Sequence, residues 1–94
     1  LPALRAARAL VRGRLLACAT VHSGATAIYR WKGRGFEEPS TLLWGKTTAG
    51  MAARALRAIR ALHPDEVAEV LVLPVAMGNA RYLAWIRESV GSKR

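Results

Sequence analysis

Apolar Ala3, Leu4, Ala7, Leu10 and Val11 recur at helical spacing near the start of the chain, with Arg5, Arg8 and Arg12 opposite them. The pattern predicts a helix over Pro2–Arg12, with Pro2 in the first turn and Gly13 as the stop. The period then changes to two. Leu16, Cys18, Thr20 and His22 fall on one face of an extended run from Leu15 to His22. Ser23-Gly24 interrupts that run as a bulge or bend, and extension resumes from Ala25 to Trp31. Lys32 to Pro39, which holds Gly33 and Gly35, is expected to be the hairpin loop, and Ser40 to Thr47 the antiparallel return strand. Helical spacing reappears in Ala52, Ala55, Leu56, Ile59 and Leu62, opposite Arg54, Arg57 and Arg60. This predicts a second helix over Ala49–Leu62 with Thr48 as its N-cap.

Pro64 lacks an N–H and biases His63 away from helical angles, so the second helix should end there. Beyond the hinge His63-Pro64-Asp65-Glu66-Val67-Ala68-Glu69-Val70, the apolar run Val67–Leu73 predicts a third strand, which Pro74 restricts to an edge or an end. Gly78-Asn79 opens a third helix, with Asn79 as N-cap, Tyr82, Leu83, Ile86 and Val90 on its buried face, and Gly91 as its end. Ser92 to Arg94 are expected to fray. The order is helix, strand, strand, helix, strand, helix. One strand in front would make it β-α-β-β-α-β: an α+β class, ferredoxin-like split βαβ with an added C-terminal helix. That N-terminal strand is absent from the pattern, and the chain opens inside a helix without an initiator Met. N-terminal residues are therefore expected to be missing, and with them a strand from the middle of the sheet.

Ninety-four residues fit one domain, 1–94. The chain is 52% hydrophobic, yet runs such as Val70 to Met77 fall far short of the ~18 residues of a membrane span. The excess apolar surface is expected to go into a subunit interface. Leu1 to Gly13 carries arginine throughout and does not read as a signal peptide. With one cysteine, an intramolecular disulfide is excluded, and a cytoplasmic setting is the default. A net charge of +9 raises nucleic acid as a partner. The arginines, however, lie on the solvated faces of two amphipathic helices without a recognition motif, so no nucleic acid and no membrane partner is expected.

Cys18 and His22 suggest a thiol–imidazole dyad, but four residues along a strand is roughly 13 Å. Cys18, among Leu16, Ala17 and Ala19, reads as a small buried hydrophobe. As a soft-metal ligand it needs partners from elsewhere, including another subunit. His63 with Glu66 and Glu69 reads either as a metal or proton site, or as a helix cap paired with a carboxylate that holds the turn shut. Glu66 and Glu69 as an acid–base pair lack an accompanying nucleophile or pocket. Tyr29, Trp31, Trp44, Tyr82 and Trp85 are distributed over separate elements without an RNP-type motif, which favours interface or core packing over an RNA platform. Gly33-Arg34-Gly35 is a loop signal without a phosphate-binding pattern.

Several spaced motifs in one order resemble the CutA divalent-cation-tolerance family over almost the whole chain. They are Arg14-Leu15-Leu16-Ala17-Cys18, then Ala27-Ile28-Tyr29-Arg30-Trp31-Lys32-Gly33, Lys46-Thr47 and the His63 hinge. Leu73-Pro74-Val75, Gly78-Asn79, Tyr82-Leu83 and Trp85 complete the set. The resemblance implies a ferredoxin-like subunit, a tight homotrimer, a cytoplasmic protein built like the PII signalling proteins, and no enzymatic reaction. It also implies a role in tolerance of divalent cations, chiefly copper. Carried over residue by residue, it implies metal ligation by Cys18, His63, Glu66 and Glu69, and an inter-subunit cleft formed by Tyr29, Trp31, Lys46, Asn79, Tyr82 and Trp85. The departures are Asp65 in place of an aromatic, Ala68 of a proline, Thr20 of an asparagine and Lys32 of an acid. The strongly basic charge disfavours a cationic ligand. It leaves a second reading: a PII-like sensor of a small anion bound through Lys46 and nearby arginines.

Overall fold

In the computed structural model, which describes residues 2–63 and 67–91, helix α1 (Pro2–Arg12) turns Ala7 and Leu10 inward. Gly13 donates its N–H to the Ala9 carbonyl at 2.9 Å, closing the helix. Arg14 then adopts a positive φ of 61°, unusual for a residue with a Cβ. The reversal lets the N–H groups of Leu15 and Leu16 donate to the Leu10 carbonyl at 3.0 and 3.3 Å. Leu16 therefore enters the core beside Leu10, ahead of strand β1 (Cys18–Trp31).

Strand β1 pairs antiparallel with β2 (Arg34–Lys46), from Cys18 opposite Lys46 to Trp31 opposite Arg34. The register slips between His22 and Ala25, placing the bulge at Ser23-Gly24, where Gly24 takes a φ of 91°. The expected loop over Lys32–Pro39 is much shorter: only Lys32 and Gly33, with φ of 52° and 77°, turn the chain, and Arg34–Pro39 lies in β2. Two successive positive φ values give the primed turn whose twist matches a two-stranded ribbon. Pro39 stands opposite Thr26. Alternation back from the turn makes that a pair without ladder bonds, where the missing N–H would point away from β1.

Helix α2 (Ala49–Leu62) has the expected limits. Thr48 occupies the N-cap position with extended backbone but makes no side-chain cap bond, while Thr47 Oγ1 donates to the Leu15 carbonyl at 2.7 Å. Ala55 meets Leu10 and Leu16 in the core, with Leu15, Ala19, Leu43, Ala58 and Ile59 around them. Both helices thus cover one face of the ribbon. The expected strand Val67–Leu73 is not formed: this stretch has no ladder, and Val67, Leu71, Val72 and Leu73 are more than half exposed. An apolar β-prone run becomes a strand only beside a partner, and among the described residues β1 and β2 pair only with each other.

Helix α3 (Ala80–Ser89) follows, capped by Asn79, whose Oδ1 accepts from the Arg81 N–H at 3.0 Å. Of its expected buried face, Ile86 is buried and Leu83 and Val90 are half-buried, but Tyr82 stays 43% exposed. Its far end is tied to the α1–β1 corner. Arg14 Nε and Nη2 donate to the Gly91 and Glu88 carbonyls at 2.7 and 3.0 Å, and the Gly91 N–H donates back to the Arg14 carbonyl at 2.9 Å. The fold is α+β with a ferredoxin-like arrangement, as the sequence pattern implies.

Candidate functional site

The face of the ribbon away from α1 and α2 is set by the bulge. Before it, Cys18, Thr20 and His22 share that face with their partners Lys46, Trp44 and Leu42. One extra residue in β1 reverses the alternation, so Ala25, Ala27, Tyr29 and Trp31 continue the same face, opposite Ser40, Glu38, Phe36 and Arg34. Side-chain contacts agree. Tyr29 stacks on Phe36 with ring centres 5.4 Å apart, and its hydroxyl donates to Glu38 Oε1 at 2.5 Å. At the tip, the Lys32 ammonium lies 5.7 Å from the Trp31 ring centre.

Helix α3 brings the remaining groups to the open end. Tyr82 Oη lies 3.7 Å from Cys18 Sγ, and Trp85 stacks on Tyr82 at 5.6 Å. Across the ladder from Cys18, Lys46 Nζ donates to Thr20 Oγ1 at 3.4 Å. The hydrogen bond with Cys18 raises the Tyr82 phenol above its ordinary pKa, with desolvation and the Cys18 charge acting the same way. A thiol, a phenol, an ammonium and indoles therefore share one surface. Cys18 is half-buried rather than sealed in the core, which leaves its sulfur beside that surface.

Five of the six expected cleft residues lie on or against this face: Tyr29, Trp31, Lys46, Tyr82 and Trp85. Asn79 is instead occupied in capping α3. Trp44 and Thr20, outside the expected set, belong to it through the ladder register. The expected metal ligands are dispersed. Cys18 faces Lys46, just ahead of the start of α2, whereas His63 caps its other end, about 20 Å along the helix axis. Glu69 is exposed, and Glu66 lies outside the described residues. Among the described residues no three His, Cys, Asp or Glu side chains gather around a common point. Among the described residues, the donors of one chain thus do not assemble a complete cation site.

Strand order, helical layer and aromatic sheet face define a PII-like, ferredoxin-type subunit. The model of the CutA1 divalent ion tolerance protein family matches residues 2–89, and the chain belongs to that family. The divalent-cation tolerance protein CutA of Thermus thermophilus is 45% identical over 85 residues, 90% of this chain and 82% of the relative. A solved structure of the Thermus thermophilus protein superposes with a TM-score of 0.91 at 43% identity, covering 96% of this chain and 87% of that one. The human protein CutA is 43% identical over 82 residues, 87% of this chain but only 46% of the relative, so this chain spans about half its length. The PII-like protein CutA of Nostoc, in apo form, superposes with a TM-score of 0.88 at 28% identity, over 94% of this chain and 86% of that one. The family description names divalent-ion tolerance and no reaction. Among the described residues no helix is long and apolar enough to cross a membrane.

Proposed function

We propose that this chain acts in the cytoplasm as a non-enzymatic homotrimer that binds divalent cations, copper foremost, and responds to them. One observation carries the reading. The sheet face holding Cys18 exposes Trp44 at 54% and Tyr82 and Trp85 at 43% each, a surface suited to a second copy of the chain. A two-stranded ribbon is at best marginally stable in water, which adds to the case for further strands from neighbours. Since the described residues of one chain do not bring three such donors together, the Cys18 thiol of one protomer would meet His63, Glu66 or Glu69 of the next. Thiolate and imidazole suit copper. Sedimentation at low concentration should give the trimer mass; a monomer removes the reading. Copper titration should weaken in Cys18→Ser and His63→Ala, and affinities equal to wild type would exclude both as ligands.

The second reading, a PII-like sensor of a small anion in the inter-subunit cleft, has its own support. Lys46 lies beside the aromatic face with only the Thr20 hydroxyl on its ammonium and, among the described residues, no carboxylate. Thermal-shift screening separates the two, because a ligand that binds only the folded chain raises the midpoint by an amount that grows with the logarithm of its concentration over its Kd. Midpoints that rise with nucleotides and stay level with metals would favour the anion.

A further inference from the structure

The arginine faces of α1 and α2, separate in the sequence, adjoin in the fold. Both helices pack on the same side of the ribbon and touch each other, and Leu10 of one and Ala55 of the other share one core cluster. Arg5, Arg8 and Arg12 are thus carried by one and Arg54, Arg57 and Arg60 by the other of two helices in contact, and all six are exposed. Neither helix contains an Asp or Glu. None of the six guanidiniums has an ion pair or a side-chain hydrogen bond among the described residues. Each row spans about 10 Å, and packed helix axes lie about 8–10 Å apart. The result is a cationic layer, without a carboxylate partner among the described residues, on the side opposite the Cys18 face.

We infer that this layer docks on the phosphate backbone of double-stranded DNA without regard to sequence, which reverses the expectation drawn from the two helices taken separately. The charge complementarity is specific in kind. A guanidinium grips phosphate through two parallel donors, which an ammonium does not. Exposed Ala9 lies between Arg8 and Arg12, and exposed Ala53 and Ala61 flank the row on α2, so small side chains border the arginines there. The usual separation of packed helix axes, about 8–10 Å, falls within the range of groove widths, about 6–12 Å, so one row could reach each strand. Neither helix carries an aromatic residue, and single-strand platforms depend on stacking bases upon aromatics. A bilayer-seeking helix would border its basic face with large apolar groups. Here Leu4 and Val11, 40% and 37% exposed, lie on one edge of α1, and Leu62, 53% exposed, stands at the far end of α2, so no continuous apolar border forms.

The test is fluorescence anisotropy with a labelled duplex of about 20 base pairs, or two helical turns, titrated across a salt series. Six phosphate contacts give a log–log slope near −5, a loss of about 10³-fold in affinity between 50 and 200 mM salt. Substituting either arginine row with glutamine (R5Q/R8Q/R12Q or R54Q/R57Q/R60Q) should halve the slope, leaving a loss of roughly 40-fold over the same range. Circular dichroism checks that each triple variant is folded. Should one fail, single R8Q and R57Q variants should each lower the slope by about one. Copper titration of the same variants should match wild type, which separates this surface from the proposed cation site. Three outcomes overturn the inference: no binding at low salt, binding lost only in the hairpin-tip variant R30Q/K32Q/R34Q, or binding to phosphatidylserine vesicles but not to duplex.

Discussion

Gly45 shows how closely single atoms govern this core. A Cβ there would lie 2.8 and 2.9 Å from the two methyl carbons of Leu16. Leu16 is 3% exposed and packed with Leu10 and Ala55, so it has little room to retreat. Gly45→Ala is predicted to cost about 1–3 kcal/mol through overpacking, read as a lower denaturant midpoint. A midpoint equal to wild type would mean that Leu16 finds another rotamer. The Cys18–Tyr82 contact predicts a pH effect of definite sign. A folded chain that holds the phenol proton more tightly than the unfolded one gains stability, complete below the ordinary value of 10.0 and lost as pH rises through the raised one. In Cys18→Ala the Tyr82 absorbance titration should shift down toward that ordinary value. An unmoved midpoint would disconnect the two groups.

At the scale of elements, the Arg14 side chain latches the far end of α3 to the α1–β1 corner. Arg14 accepts a left-handed backbone and in return binds two carbonyls at the end of α3. Arg14→Gln removes that grip and is expected to cost about 1–3 kcal/mol. Hydrogen exchange should quicken at Leu83 and Ile86 while the amides of α2 keep their protection; uniform quickening would mean that the corner, not the latch, has failed. The limits of α1 and α2 were legible because their signals are local: proline first, glycine or proline after, apolar residues at helical spacing. The turn was not, since Lys32 gives no sign that it will take a positive φ. Nor was Val67–Leu73, whose composition suits a strand but whose formation depends on a partner elsewhere. The candidate site was half legible. Its aromatics stand out in the chain, but the Cys18–Tyr82 meeting joins residues 64 apart. The shared face of Cys18 and Tyr29 rests on the one-residue slip at the bulge, which simple alternation from Cys18 would miss.

For the molecule as a whole, the apolar balance argues beyond one chain. A composition that is 52% hydrophobic supports a core centred on Leu10, Leu16 and Ala55, yet leaves Ile28, Leu71 and Val75 more than 70% exposed. The two kinds of surface are segregated. Six arginines lie on α1 and α2, and tryptophans lie on or against the opposite sheet face, where Arg34 stands at the hairpin tip. In the proposed assembly that division would direct self-association to the sheet and leave the charged layer outside, since like charges are expensive to bring together in a desolvated seam. Trp44 is the sharpest probe because it stands across the ladder from Thr20, near Cys18 and Lys46. A buried tryptophan at the centre of an interface is worth about 2 kcal/mol or more, equivalent to roughly 30-fold in dissociation constant. Trp44→Glu adds a carboxylate that the seam would have to desolvate. We expect it to sediment as the protomer at concentrations where wild type remains assembled, with the emission of its two remaining tryptophans shifted to the red. If assembly survives that substitution unchanged, the subunits meet through the exposed Val67–Met77 run or the helices, and the Cys18 face is open to solvent for a ligand alone.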